Sequence, residues 1–289
     1  MSSLPKAQHY VPQSYLERFR SNPEQRRSKA KVHCFDKHDG RTFEPNVKNV
    51  ANQTGFYNYP IDEQFLWTLE PTLSKWEADF KVAVDHVVGS GLLTLTPDDG
   101  ASLAMFVASQ AVRTAEQREL IRQVTKLAGV TLGKVPPGED DVAYIHTDLI
   151  PTFTGRLATL FLESKKWIIF HNLEEVPLWT SDNPVVRHNK RGASPMGSNR
   201  GFASPGIEIW MPLTPKLALL LCDKREMIDP SAGHFLTRGN VMFLNSLQVL
   251  EATRYLIAPR NDFSLAESMI KQEPNLARCD RPRLRSTAR

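Results

Sequence analysis

The side chains best suited to chemistry are scattered along the chain. His9 and Gln13 lie near its start, Glu77, Gln110 and Arg113 in the first half, and Asp182 and Asn183 past the middle. Asp182-Asn183 falls in the segment Leu178 to Val186, where Ser181, Asp182, Asn183 and Pro184 interrupt an apolar run. Pro184 removes a ladder donor and pushes Asn183 towards extended backbone, so a strand must bulge or stop there. At such a break Asp182 is either the turn former that caps a strand end or a presented carboxylate. His9 carries an imidazole that titrates near neutrality. That suits a general base or metal ligand, and equally a structural bond to a backbone carbonyl. Gln110 and Arg113 follow Phe106 by four and seven residues, which places both on the buried face of a helix. A buried arginine needs a partner, and Glu70, Glu77 and Asp182 are the candidates. It can be half of an ion pair between helices, or it can hold an anionic substrate.

Two functions follow from these groups. One is a metal-assisted hydrolase of phosphodiesters, nuclease-like. In it Asp182 and Glu77 hold a magnesium or manganese ion, His9 acts as base and Arg113 meets a phosphate oxygen, while Gln13, Gln110 and Asn183 contact substrate. The alternative is a non-enzymatic ligand-binding or regulatory module built on the same cluster. Glutamine and asparagine favour it, being adaptable hydrogen-bonders without acid–base chemistry. A third arrangement is one buried structural network. An enzyme requires His9, Arg113 and Asp182 to converge in an open cleft, whereas a network requires them buried and mutually satisfied.

The positioning elements are legible in outline. Pro12 suits the start of a short helix that buries Tyr15, Leu16 and Phe19. Lys31 to Asp36 reads as a strand turning at Asp39-Gly40 into Arg41-Thr42-Phe43. The nearby His33, Cys34, Asp36 and His38 have no metal-ligand spacing. Phe65, Leu69, Trp76, Phe80 and Val87 predict a helix over about 63–88, with Pro71 kinking it or marking its true start. Thr96-Pro97-Asp98-Asp99 opens a second helix, predicted to run to about Leu127. Gly133 to Asp141 is a flexible loop and a possible sub-boundary; the helix after it, to Ser164, should break near Pro151. Trp167 to Phe170, Ile207 to Met211 and Leu217 to Cys222 read as strands, with a tight turn at 212–215. Residues 188–206, rich in Gly, Ser, Asn and Arg, look like a long lid or binding loop. A last helix runs from Gly239 to about Tyr255. The expected architecture is α+β, long helices on a small, mainly antiparallel sheet. Residues 1–260 form the module, and 261–289 are a charged, basic tail with little core-forming power.

Composition sets the bounds. Of 289 residues, 41% are hydrophobic and 24% charged, as in an ordinary globular protein. The net charge of +4 neither demands nor excludes nucleic acid. Basic residues do cluster, in Arg18 to Lys31 and in Arg278 to Arg289, where they could meet phosphate backbones. Cys34, Cys222 and Cys279 have no paired spacing, the N-terminus has no apolar signal core, and no run is long enough to span a bilayer. The expectation is a cytoplasmic protein without membrane contact.

The segments Gln8-His9-Tyr10-Val11-Pro12-Gln13 with Tyr15, Leu16 and Phe19, then Gln110 and Arg113, then Thr180-Ser181-Asp182-Asn183-Pro184-Val185, then Met211-Pro212-Leu213-Thr214-Pro215, occur in that order. In this they resemble the DUF4238 family over about residues 8–258. The resemblance implies one continuous module. It brings no established activity, cofactor or catalytic residue with it.

Overall fold

The structure, a computed structural model, describes residues 7–60, 66–90, 96–192, 199–229 and 232–283. In chain order the elements are β1 (Ala7–His9), α1 (Gln13–Leu16), β2 (His33–Asp36), β3 (Arg41–Phe43), β4 (Asn52–Thr54), β5 (Asn58–Pro60), β6 (Leu66–Thr68), α2 (Glu70–Ser90), α3 (Pro97–Val112), α4 (Ala115–Thr131), α5 (Glu139–Ser164), β7 (Lys165–Asn172), β8 (Thr180–Ser181), β9 (Val186–Asn189), β10 (Ile207–Thr214), β11 (Leu217–Asp223), β12 (His234–Leu236), α6 (Arg238–Glu251), β13 (Tyr255–Ala258) and α7 (Ser264–Gln272). Short 3-10 turns follow α1 (Glu17–Phe19) and α7 (Pro274–Ala277).

The larger sheet has the order β12-β7-β11-β10-β9 and is antiparallel except for β12 beside β7. Its strands are apolar on both faces because both are covered. Ile169, Ile209, Met211, Leu219 and Leu221 face the core shared with α2, α3 and α5. Their neighbours Ile168, Trp210, Ala218, Leu220 and Cys222 face a second core that α6 closes with Val241, Leu244 and Leu247. The smaller sheet, β3-β2-β13-β8, is antiparallel throughout. This is the α+β architecture expected, with the antiparallel strands divided between sheets.

The structure differs from the sequence reading at several places. The last helix ends at Glu251, with Tyr255 already in β13, and β10 runs through Pro212 to Thr214, where a tight turn was expected. Helix α2 begins at Glu70 and not near 63, so of the two roles open to Pro71 it takes that of the true start; Phe65, on the earlier stretch, lies outside the described residues. The long helix from Pro97 is two helices, because α3 stops at Val112 and α4 starts at Ala115. At the break the Tyr57 hydroxyl donates to the Arg113 carbonyl and the Thr114 hydroxyl to Asn183, partners that compete with the helix ladder. Conversely, α5 passes unbroken through Pro151. Finally, residues 261–283 are no solvated tail. Phe263, Ala266 and Leu276 are buried against Phe35, Trp179, Val249 and Leu256. Arg285 and Arg289, and 193–198 of the loop expected to be a lid, lie outside the described residues.

One core runs from Tyr10 to Ile257, with Leu103 and Val107 before the 133–141 loop and Phe161 and Ile169 after it. The hairpin at Gly40 forms as expected, with glycine at φ +70° and the Asp39 carboxylate accepting from the Arg41 N–H. Among the described residues no helix is long and apolar enough to cross a membrane.

Candidate functional site

The polar residues gather around the break between α3 and α4, in an inner network and an outer edge. The inner network begins at Asp182, 1% exposed. Its Oδ1 accepts the Thr253 N–H at 2.9 Å, and its Oδ2 accepts those of Arg254 at 2.8 Å and Tyr255 at 3.0 Å. The carboxylate thereby organises the turn that joins α6 to β13. Burial pushes its pKa above the usual carboxylate range, opposed by the N–H groups of Tyr255 and Arg254 and by Lys37. Asn183 is equally enclosed: its Oδ1 accepts from the Thr114 hydroxyl at 3.0 Å and its Nδ2 donates to the Glu251 carbonyl at 3.2 Å. Ser181 donates to Gln248 Oε1, and Gln248 Nε2 returns to the Pro184 carbonyl.

Tyr15 ties the remaining segments together. Its hydroxyl donates to the Pro212 carbonyl at 2.6 Å and meets Thr180 Oγ1 at 2.8 Å. Gln8, wholly buried, accepts the Tyr57 N–H and donates to Asn58 and Thr68. Arg113, also wholly buried, donates through Nε to the Tyr10 carbonyl and through Nη2 to the His9 carbonyl and, at 2.6 Å, to Glu77. Of the three partners the sequence offered, the structure selects Glu77. The segments that carry the family resemblance are thus stitched to one another by buried hydrogen bonds.

The outer edge holds the accessible groups. His9 Nε2 lies 3.1 Å from the Lys48 carbonyl, which fixes the proton on Nε2 and leaves Nδ1 as an acceptor, 3.5 Å from the exposed Gln13 amide. Burial lowers the His9 pKa, so the ring is neutral at pH 7. The Glu77 side chain is 28% exposed. Behind it, Glu70 Oε2 is buried with no partner among the described residues, and burial and the Glu77 charge raise the Glu70 pKa. Gln110 stands apart: wholly buried, with neither amide atom bonded among the described residues.

His9, Arg113 and Glu77 therefore meet, whereas Asp182 bonds the Thr253–Tyr255 turn and Asn183 bonds Thr114 and the Glu251 carbonyl. Asp182 and Glu77, the expected metal ligands, are engaged separately: both Asp182 oxygens accept backbone N–H groups, and Glu77 Oε1 accepts Arg113. Among the described residues no three His, Cys, Asp or Glu side chains assemble as a metal-holding group.

Several members of the inner network had no signal in the sequence. Lys37 is buried and donates to the Val249 and Ala252 carbonyls at the end of α6; burial and Arg281 pull its pKa down to about 7. Glu116 accepts Arg283 through both oxygens and the Thr253 hydroxyl at 3.0 Å. Arg281 also approaches Glu116, at 3.6 Å. Arginines in a basic C-terminal run read as solvated, and only their depth in the fold distinguishes these two.

These features define a class first: an α+β module whose polar centre is an internal hydrogen-bond network with one accessible edge. The chain belongs to the DUF4238 family, described as a protein of unknown function, whose model matches residues 7–262. No curated protein and no solved structure matches it.

Proposed function

We propose that this chain is a ligand-binding or regulatory module that reads a small polar ligand at the edge formed by His9, Gln13 and Glu77. The observation that carries this reading is the division of the cluster. Arg113, Asp182 and Asn183 are buried and engaged with the protein itself, while His9 Nδ1, the Gln13 amide and the Glu77 carboxylate keep bonding capacity at the surface. Such an edge offers mainly acceptors, so it suits a ligand with N–H or O–H donors. Arg113 acts by holding Glu77 and the His9 backbone in place.

The second reading is the metal-assisted phosphodiesterase. It is favoured by His9, a neutral imidazole beside a carboxylate, which is the protonation state a general base needs. On that reading Glu77 would have to share its oxygens between Arg113 and a magnesium or manganese ion, and the basic segments would meet nucleic acid.

One experiment separates the two. The full chain is incubated with single- and double-stranded oligonucleotides, with magnesium or manganese, beside His9→Ala and Glu77→Gln. In parallel its melting temperature is followed against a panel of small polar ligands. The expected result is no cleavage above background, and a ligand-induced rise in melting temperature that His9→Ala abolishes. Metal-dependent cleavage lost in both variants, with folding intact, would replace the binding reading with the hydrolase.

A further inference from the structure

A groove of about 310 Å³ opens where the turn after α1 meets α2. It is lined by Arg18, Arg20, Arg27 and Lys81, by two carboxylates, Glu17 and Asp85, and by the hydroxyl-bearing Ser14 and Thr214. Neither His9 nor Glu77 lines it, so it stands apart from the reading above. Its charges are unevenly matched. Asp85 is shared by Arg18, at 2.8 Å, and Lys81. Arg27 reaches Glu17 only at 3.9 Å, and Arg20 has no carboxylate partner among the described residues, its one bond being a 3.5 Å contact to the Gln25 carbonyl. All four cations line the same groove as Glu17 and act on its charge. The Arg18 side chain is 11% exposed, and its Nε is buried with no partner among the described residues.

We propose that this groove is a binding site for a small phosphomonoester, a molecule of nucleotide or sugar-phosphate size. The volume falls at the lower end of the range for small-molecule sites. An excess of guanidinium groups with unspent N–H donors suits a doubly charged terminal phosphate, which accepts paired donors through three oxygens. Lys81 adds a point charge, and Ser14 can donate a hydroxyl to the remaining oxygen. Glu17 opposes the anion and tunes the affinity downwards.

The test is calorimetric titration of the full chain at low ionic strength, with inorganic phosphate and a ribonucleoside 5′-monophosphate as probes. The matching nucleoside serves as the uncharged control. The expected result is saturable binding of both phosphates and none of the nucleoside. Arg20→Ala, a change at a partly exposed side chain, should weaken binding about tenfold, the loss of one charge-assisted bond. Glu17→Gln should tighten it several-fold by removing the opposing charge. The opposite directions exclude a general loss of structure. The proposal is overturned if the folded wild type shows no saturation, if the nucleoside binds as well as the monophosphate, or if Glu17→Gln weakens binding. Tight binding of an oligonucleotide that a monophosphate cannot displace would overturn it too, in favour of a nucleic-acid surface.

Discussion

Asp182 gives up water for three backbone N–H groups, and that exchange sets what a substitution there does. In Asp182→Asn one acceptor oxygen becomes an NH2 facing backbone donors. We expect a loss of about 2–4 kcal/mol in unfolding free energy, read by urea denaturation. An unchanged midpoint would mean that the network does not hold this turn. Gln110 predicts the opposite sign. A buried amide with no partner costs more than it contributes, so Gln110→Leu should raise stability by about 1–2 kcal/mol. His146 supplies a pH dependence. Its Nε2 donates to the Val112 carbonyl, its Nδ1 accepts from Arg118, and burial with the Arg118 charge pulls its pKa down to about 3. The unfolded histidine, at roughly 6.5, binds the proton more readily. Its contribution is therefore complete above pH 6.5 and is lost as pH falls towards 3, by at most about 1.4 kcal/mol per pH unit. The difference in stability between wild type and His146→Gln should shrink across that window; parallel pH profiles would refute the assignment.

At the scale of elements, the break between α3 and α4 does the positioning. Arg113 is still helical, its N–H bonding the Ser109 carbonyl, so its side chain keeps the inward direction of α3 and reaches the carbonyls of His9 and Tyr10. The turn comes at Thr114, whose extended backbone lets its hydroxyl reach Asn183 and leaves the Arg113 carbonyl free for Tyr57. Within α5, Pro151 lacks the N–H that would bond the Thr147 carbonyl, yet the helix continues because one face packs along α3. Pro151→Ala restores that bond at an exposed position and should raise stability by about 1–3 kcal/mol, seen as a higher melting temperature. No gain would show that the neighbouring packing already absorbs the missing bond.

Over the whole molecule, residues 264–283 pack back onto segments far earlier in the chain. Arg283 and Arg281 reach Glu116 at the start of α4, while α7 lays Ala266 over the smaller sheet. Ending the chain at Ala277 strips Glu116 of both arginines and leaves a buried carboxylate with only the Thr253 hydroxyl. The expected cost is about 3–5 kcal/mol, part of which Glu116→Met should restore in the shortened chain by removing the stranded charge. Denaturation of the two shortened forms decides this; equal stabilities would show that the arginines do not offset the burial of Glu116.

The sequence by itself determined the local grammar. Thr96-Pro97 starts a helix because the threonine hydroxyl caps Asp99 and the proline needs no N–H there, and the Asp39-Gly40 turn follows from glycine's positive φ. Short continuous apolar runs predicted the strands of the larger sheet, and helical spacing placed Gln110 and Arg113 inwards. The same reasoning singled out Asp182-Asn183 as a strand break, since proline cannot serve a ladder. Only the tertiary structure decided what each buried group meets. Arg113 had three acids to choose from in sequence and has Glu77 in space. Asp182 bonds a turn 71 to 73 residues away, and Arg283 bonds Glu116 across 167 residues. Periodicity says which face of an element is turned inwards. It carries nothing about the element opposite, and the partner of a buried charge is set there.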